Sequence, residues 1–114
     1  QERLLGEMIM ELEKQIEQTL ALNINKIGGV CLKFTSPGNA GVPDRVVIHE
    51  GRVMFVELKR PGGEPRPLQI AVAKKMKNAG AFVYCISTKE QVRKFIDDLL
   101  LHTYYPNMND YDQI

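Results

Sequence analysis

At 114 residues, 44% hydrophobic and 25% charged, the chain has the proportions of an ordinary globular domain, with room for one core and not two. Its apolar runs fall short of the roughly 18 residues that span a bilayer, and no signal-peptide pattern opens it, so a cytoplasmic protein without membrane contact is expected. The net charge of +1 excludes a uniformly basic or acidic chain but hides an uneven spread along it.

Leu5, Met8, Ile9, Leu12, Ile16 and Leu20 recur at helical spacing, which predicts one long amphipathic helix from about Glu2 to Asn23, broken over Asn25–Gly29. "GVCLKFT" (Gly29–Thr35) is rich in β-formers and reads as a strand, and "SPGNAGVP" (Ser36–Pro43) is loop by composition. Two strands follow, about Asp44–His49 and Arg52–Lys59, turning at Glu50-Gly51. After the loop "RPGGEPRP" (Arg60–Pro67), Pro67 stands at a first helical position, and a helix runs over Leu68–Ala79 to Gly80. "AFVYCIS" (Ala81–Ser87) reads as a strand covered on both faces. Thr88-x-x-Gln91 matches a capping box for a last helix reaching about Leu101. The tail from His102 has no period, and its Tyr104, Tyr105 and Tyr111 offer anchors to the body or to a second subunit, or lie loose. The order α-β-β-β-α-β-α predicts an α/β domain over 1–114: a mixed central sheet flanked by helices, an extra C-terminal helix and a tail at 102–114.

Cys31 and Cys85 sit far apart in strand-like runs, without a Cys-x-x-Cys pair, and His49 and His102 have no ligand types beside them. That spacing argues for buried reduced thiols and against structural zinc. Residues 1–20 hold five acids against Arg3 and Lys14, whereas residues 59–77 hold six bases against Glu64 alone. The basic excess suits a polyanion, although a solvated helix face accounts equally well for Lys74, Lys75 and Lys77.

The hairpin gathers three charges. With Glu50-Gly51 as a two-residue turn, facing residues have numbers summing to 101, so Asp44 stands opposite Glu57. Facing Cβ atoms lie about 4.5–5.5 Å apart, close enough for two carboxylates to share one cation. Lys59, two residues beyond Glu57, points to the same face. Two carboxylates that close repel unless a cation relieves them. Lys59 supplies one positive charge, and a hard divalent ion such as Mg2+ would supply the rest. The chemistry such a site asks for is metal-dependent phosphodiester hydrolysis. The plainer alternative is a salt-bridged strand end.

Gly41-Val42-Pro43-Asp44, then Phe55-Val56-Glu57-Leu58-Lys59, then Gln69, resembles the VRR-NUC (virus-type replication–repair nuclease) branch of the PD-(D/E)xK nucleases, and the element order from the first helix to about Ile96 agrees with it. The resemblance implies a Mg2+-dependent DNA endonuclease, with Mn2+ also supporting activity. By it, Asp44 and Glu57 are metal ligands with the Leu58 backbone carbonyl. Lys59 activates or positions water, and Gln69 orients the lysine or a metal-bound water. The superfamily often adds a glutamate from the first helix. At 100° per residue, Glu13 lies about 73° from the centre of the apolar stripe, Glu17 about 113° and Glu11 about 127°, so Glu13 is the expected fifth residue.

Lys33, Arg45, Arg60, Arg66, Lys74 and Lys75 are the phosphate-contact candidates, chosen for charge and nearness to the motif. Gly38 and Gly41 serve either the loop's turns or a close approach of backbone to phosphate. The family's free-standing members resemble viral proteins and act as dimers. A two-fold dimer suits a four-way DNA junction cut symmetrically, so a homodimer resolving Holliday junctions is the specific expectation. No recognition helix or stacking platform for reading bases is legible. A catalytically silent DNA-binding module and an unrelated small ligand-binding α/β protein are the competing readings.

Overall fold

The computed structural model describes residues 2–101; the tail with Tyr104, Tyr105 and Tyr111 lies outside the described residues. The order is α1 (Glu2–Lys26), β1 (Val30–Lys33), β2 (Arg45–His49), β3 (Arg52–Leu58), α2 (Pro67–Asn78), β4 (Phe82–Ile86) and α3 (Lys89–Leu100). The sheet runs β1-β2-β3-β4, antiparallel across the first three strands and parallel between β3 and β4. It is the mixed, helix-flanked sheet that the element order predicts.

The hairpin keeps the expected register: His49 faces Arg52 and Arg45 faces Val56. Glu50 (φ 47°) and Gly51 (φ 79°) both take the left-handed conformation that a two-residue type I′ turn requires. On β3, side chains alternate between two environments. Met54, Val56 and Leu58 point into the main core with Ile16, Leu20 and Ile24 of α1 and Val92, Phe95 and Leu99 of α3. Each fully buried aliphatic side chain there contributes about 1.5–3 kcal/mol. Phe55, Glu57 and Lys59 point to the opposite face, where α2 packs on the β3–β4 half. Strand β4 is covered on both faces, with Val83 to Ile86 all buried, as its continuous apolar run implies.

Three local outcomes depart from the sequence reading. Helix α1 runs on to Lys26, because Ile24 continues the buried stripe of Ile16 and Leu20, and it ends only at left-handed Gly28 (φ 82°). Its first half is helical but barely packed: Leu5 is 58% and Met8 62% exposed. The capping box of α3 is half formed. The Thr88 hydroxyl accepts from the Gln91 N–H (3.0 Å), but the Gln91 carbonyl oxygen turns to the Ser87 N–H (2.7 Å) instead of to Thr88. Neither Cys31 nor Cys85 forms a disulfide among the described residues, and no described helix is long and apolar enough to cross a membrane.

Candidate active site

Proline and glycine shape the loop that presents Asp44. Gly41 has φ 87°, and a Cβ there would stand 2.9 Å from the Leu68 side chain and 3.2 Å from its carbonyl, so the loop lies directly against the first turn of α2. Gly38 (φ 81°) has open space around it, so only its left-handed φ calls for glycine within the chain itself. Extending the hairpin register by one residue sets Asp44 against Glu57, and by two sets buried Pro43 against Leu58. Proline has no N–H, so this strand offers the Leu58 carbonyl no ladder donor. The Leu58 N–H instead donates to Asp44 Oδ2 at 2.9 Å. That hydrogen bond fixes the Asp44 carboxylate at the end of the sheet, next to the residue whose carbonyl lacks a ladder donor.

Glu57 is 2% exposed, an unusual place for a carboxylate. Its Oε2 accepts from the Gln69 side-chain amide at 2.9 Å and lies 3.4 Å from Lys59 Nζ. Gln69, the third residue of α2, accepts the Arg66 N–H at 2.7 Å with its carbonyl oxygen. One side chain therefore closes the N-terminus of α2 and holds the buried glutamate. Burial, followed by the charge of Asp44, pushes the Glu57 carboxyl up to about 7 against the pull of Lys59. Asp44 opens to solvent on one side, yet the protein crowded around its carboxyl raises it too. The Leu58 N–H opposes that rise, and the charge of Glu17 adds to it. The two carboxyls stand close enough to share a proton.

This donor set fits a hard divalent cation. Two carboxylates that oppose one another's ionisation, beside a carbonyl without a ladder donor, are what such an ion satisfies. Among the described residues no group of three or more His, Cys, Asp or Glu is close enough to hold a metal by side chains alone. Glu13, expected as a ligand, therefore does not join Asp44 and Glu57 directly. It lines a cleft of about 330 Å3 over Asp44 and Leu58, together with Glu17 and Lys33. Measured from the stripe that is buried (Ile16, Leu20, Ile24), Glu13 and Glu17 lie only about 20° and 60° off centre. Both reach the cleft because the exposed Leu5 and Met8 do not define the packed face.

Glu17 is the residue that sequence reasoning passed over. Its Oε2 accepts from Arg45 Nε at 2.7 Å, and Arg45 Nη1 also donates to the Cys31 carbonyl at 3.3 Å. Arg45, expected at the DNA, is turned to α1 by strand alternation and is mostly covered there, which leaves it little reach toward a phosphate. The other expected phosphate contacts differ in placement. Lys33 is exposed at the cleft mouth; Arg66, Lys74 and Lys75 are exposed around α2; Arg60 donates to the neighbouring Pro61 carbonyl at 3.2 Å.

No protein-family model matches the chain. Over 59 residues it is 49% identical to a curated protein named "Putative nuclease p44" from Acyrthosiphon pisum secondary endosymbiont phage 1. That match spans 51% of this chain and 63% of the relative, so the chain covers less than two thirds of the relative's length. A solved structure described as "VRR_NUC domain" superposes with a TM-score of 0.69 at 27% identity, over 82% of this chain and 97% of its own. The mixed sheet and the Asp44–Glu57 hairpin agree with this structural match, and the chain has the fold of a VRR-NUC domain.

Proposed function

We propose that this domain is a metal-dependent, structure-selective DNA endonuclease that hydrolyses phosphodiester bonds with Mg2+, or with Mn2+ in its place. The observation that carries this reading is the convergence of Asp44, buried Glu57, Lys59 and Gln69 at one end of the sheet. Asp44 and Glu57 would hold the ion with the Leu58 carbonyl, and a cation bound there supplies Lewis acidity to a phosphate oxygen and to an attacking water. Lys59 keeps its ammonium at the edge of the carboxylate pair, where it can orient a water and oppose charge growing on the phosphate. Gln69 holds the Glu57 carboxylate in place by donating to its Oε2. The name of the phage relative supports the same reading.

The proposed substrate is branched DNA, specifically a four-way junction, and the proposed working form is a homodimer in the cytoplasm of a bacterial host cell. Exposed Lys33 at the cleft, with Arg66, Lys74 and Lys75, supports contact with a phosphate backbone. Val30, Leu32, Ile48 and Val53 form an exposed apolar face on the part of the sheet that α2 leaves open, which supports burial against a second copy. The test is incubation of junction, flap, nicked and linear DNAs with Mg2+, Mn2+ or EDTA, alongside sedimentation analysis. Cation-dependent cutting that favours the junction, by a dimer, is expected. Cutting that persists in EDTA, or DNA binding without any cutting, would overturn the catalytic reading.

A further inference from the structure

We infer that Arg45 is a positioning residue for the cation centre. It latches Glu17 of α1 beside Asp44, so that Glu17 acts on a bound divalent cation as an outer carboxylate. The inference rests on the metal-dependent reading above; what it adds is Arg45, to which the motif assigns no role, and the choice of Glu17 as the first-helix acid that Arg45 holds.

Asp44 and Arg45 are consecutive, and the strand sends them to opposite faces. Asp44 meets the end of β3, while Arg45 meets α1, where its guanidinium is 2.7 Å from Glu17 and also donates to the Cys31 carbonyl. The two bonds leave the guanidinium in a single orientation. Its side chain is 14% exposed and that of Glu17 23%, so the pair is shielded enough for its geometry to matter.

The packing of α1 says why a latch is needed. Its buried contacts begin at Ile16 and continue through Leu20 and Ile24, whereas Leu4, Leu5, Met8, Met10 and Leu12 are exposed. The turn carrying Glu13 and Glu17 over the cleft thus lies at the border between packed and unpacked helix. Apolar packing holds it from one side only, and Arg45 holds it at Glu17. Arg45 also balances the charge of Glu17, which lets a third acid stand near Asp44 and Glu57 without prohibitive repulsion.

Charge counting and positioning predict opposite signs, which makes the inference testable. Removing the arginine's positive charge should by charge alone tighten cation binding. If Arg45 places Glu17, removing it should loosen binding instead. The experiment measures Mn2+ affinity by electron paramagnetic resonance, without DNA, for the wild type, Arg45→Gln, Glu17→Gln and the double variant, with folding checked by circular dichroism. Arg45→Gln and Glu17→Gln should each weaken Mn2+ binding about tenfold, the scale for outer-shell partners of metal sites, and the double variant should be no weaker than either. Arg45→Lys should restore part of the loss. Equal or tighter binding by Arg45→Gln overturns the inference. If that variant does not fold, Glu17→Gln decides alone, and a change under twofold overturns the inference. Wild-type protein that neither binds Mn2+ nor cuts DNA would sink the metal-dependent reading itself; binding and cutting unaffected by either substitution would sink only the latch.

Discussion

Glu57→Gln is predicted to stabilise the cation-free protein while removing its activity. In the fold the Glu57 carboxyl is raised from 4.5 to about 7. A raised acid binds more protons folded than unfolded, so stability falls as pH climbs from about 4.5 to about 7 and levels off above that. At about 1.36 kcal/mol per pH unit, that rise sets a ceiling of about 3 kcal/mol. Glutamine keeps the shape and an acceptor for the Gln69 amide, and it brings a donor for Asp44. Lys59 loses an ionised partner, so the net gain at pH 8 should be about 1–3 kcal/mol, or roughly 4–10 °C in melting temperature for a domain of this size. Thermal melts of both proteins in EDTA, at pH 4.5 and pH 8, read this directly. The variant should gain on the wild type only at the higher pH. Added Mg2+ should raise the wild type there and leave the variant unmoved. A variant less stable than the wild type at pH 8, or a difference that does not change with pH, would refute the reasoning.

The remaining predictions test the frame around that pair. Gly41→Ala combines a left-handed φ with a 2.9 Å clash against Leu68, and should lower stability by about 2–3 kcal/mol in urea denaturation. Gly38→Ala, with open space around it, should lose only about 1 kcal/mol. Gln69→Ala removes one bond to Glu57 and one to the Arg66 N–H; cleavage should fall about 10–100-fold, with about 1–2 kcal/mol of stability lost. Lys33→Ala should weaken DNA binding alike for all sequences and reduce the salt slope by about one, measured by anisotropy across a salt series.

Much of the fold was legible because its signals are local. The Glu50-Gly51 turn carries the whole hairpin register, and with it the meeting of Asp44 and Glu57. The Pro67 helix start and the continuous run of β4 are equally self-contained. Burial along α1 was not legible. The same 3.6-residue spacing runs through Leu5 and Met8, which have no partner surface in the described structure, and through Ile16 and Leu20, which do. Because the exposed residues bent the estimated stripe, Glu17 ranked well behind Glu13, although both line the cleft. The engagement of Arg45 with Glu17 joins residues 28 apart in the chain, and only the folded sheet brings them together. Gln69 was found by its motif position, but its second task at the helix start emerges only from the two bonds it makes.

The central claim is that Asp44, Glu57 and Lys59 form a cation-dependent centre for cutting DNA, distinct from the surface that binds it. Its most direct test is cleavage and binding of one labelled four-way junction, measured side by side for the wild type, Lys59→Ala and Asp44→Ala, with cutting assayed in Mg2+ and binding in Ca2+. The account predicts that both variants lose cutting by several orders of magnitude while binding within a few-fold of the wild type. Normal cutting by Lys59→Ala would contradict it.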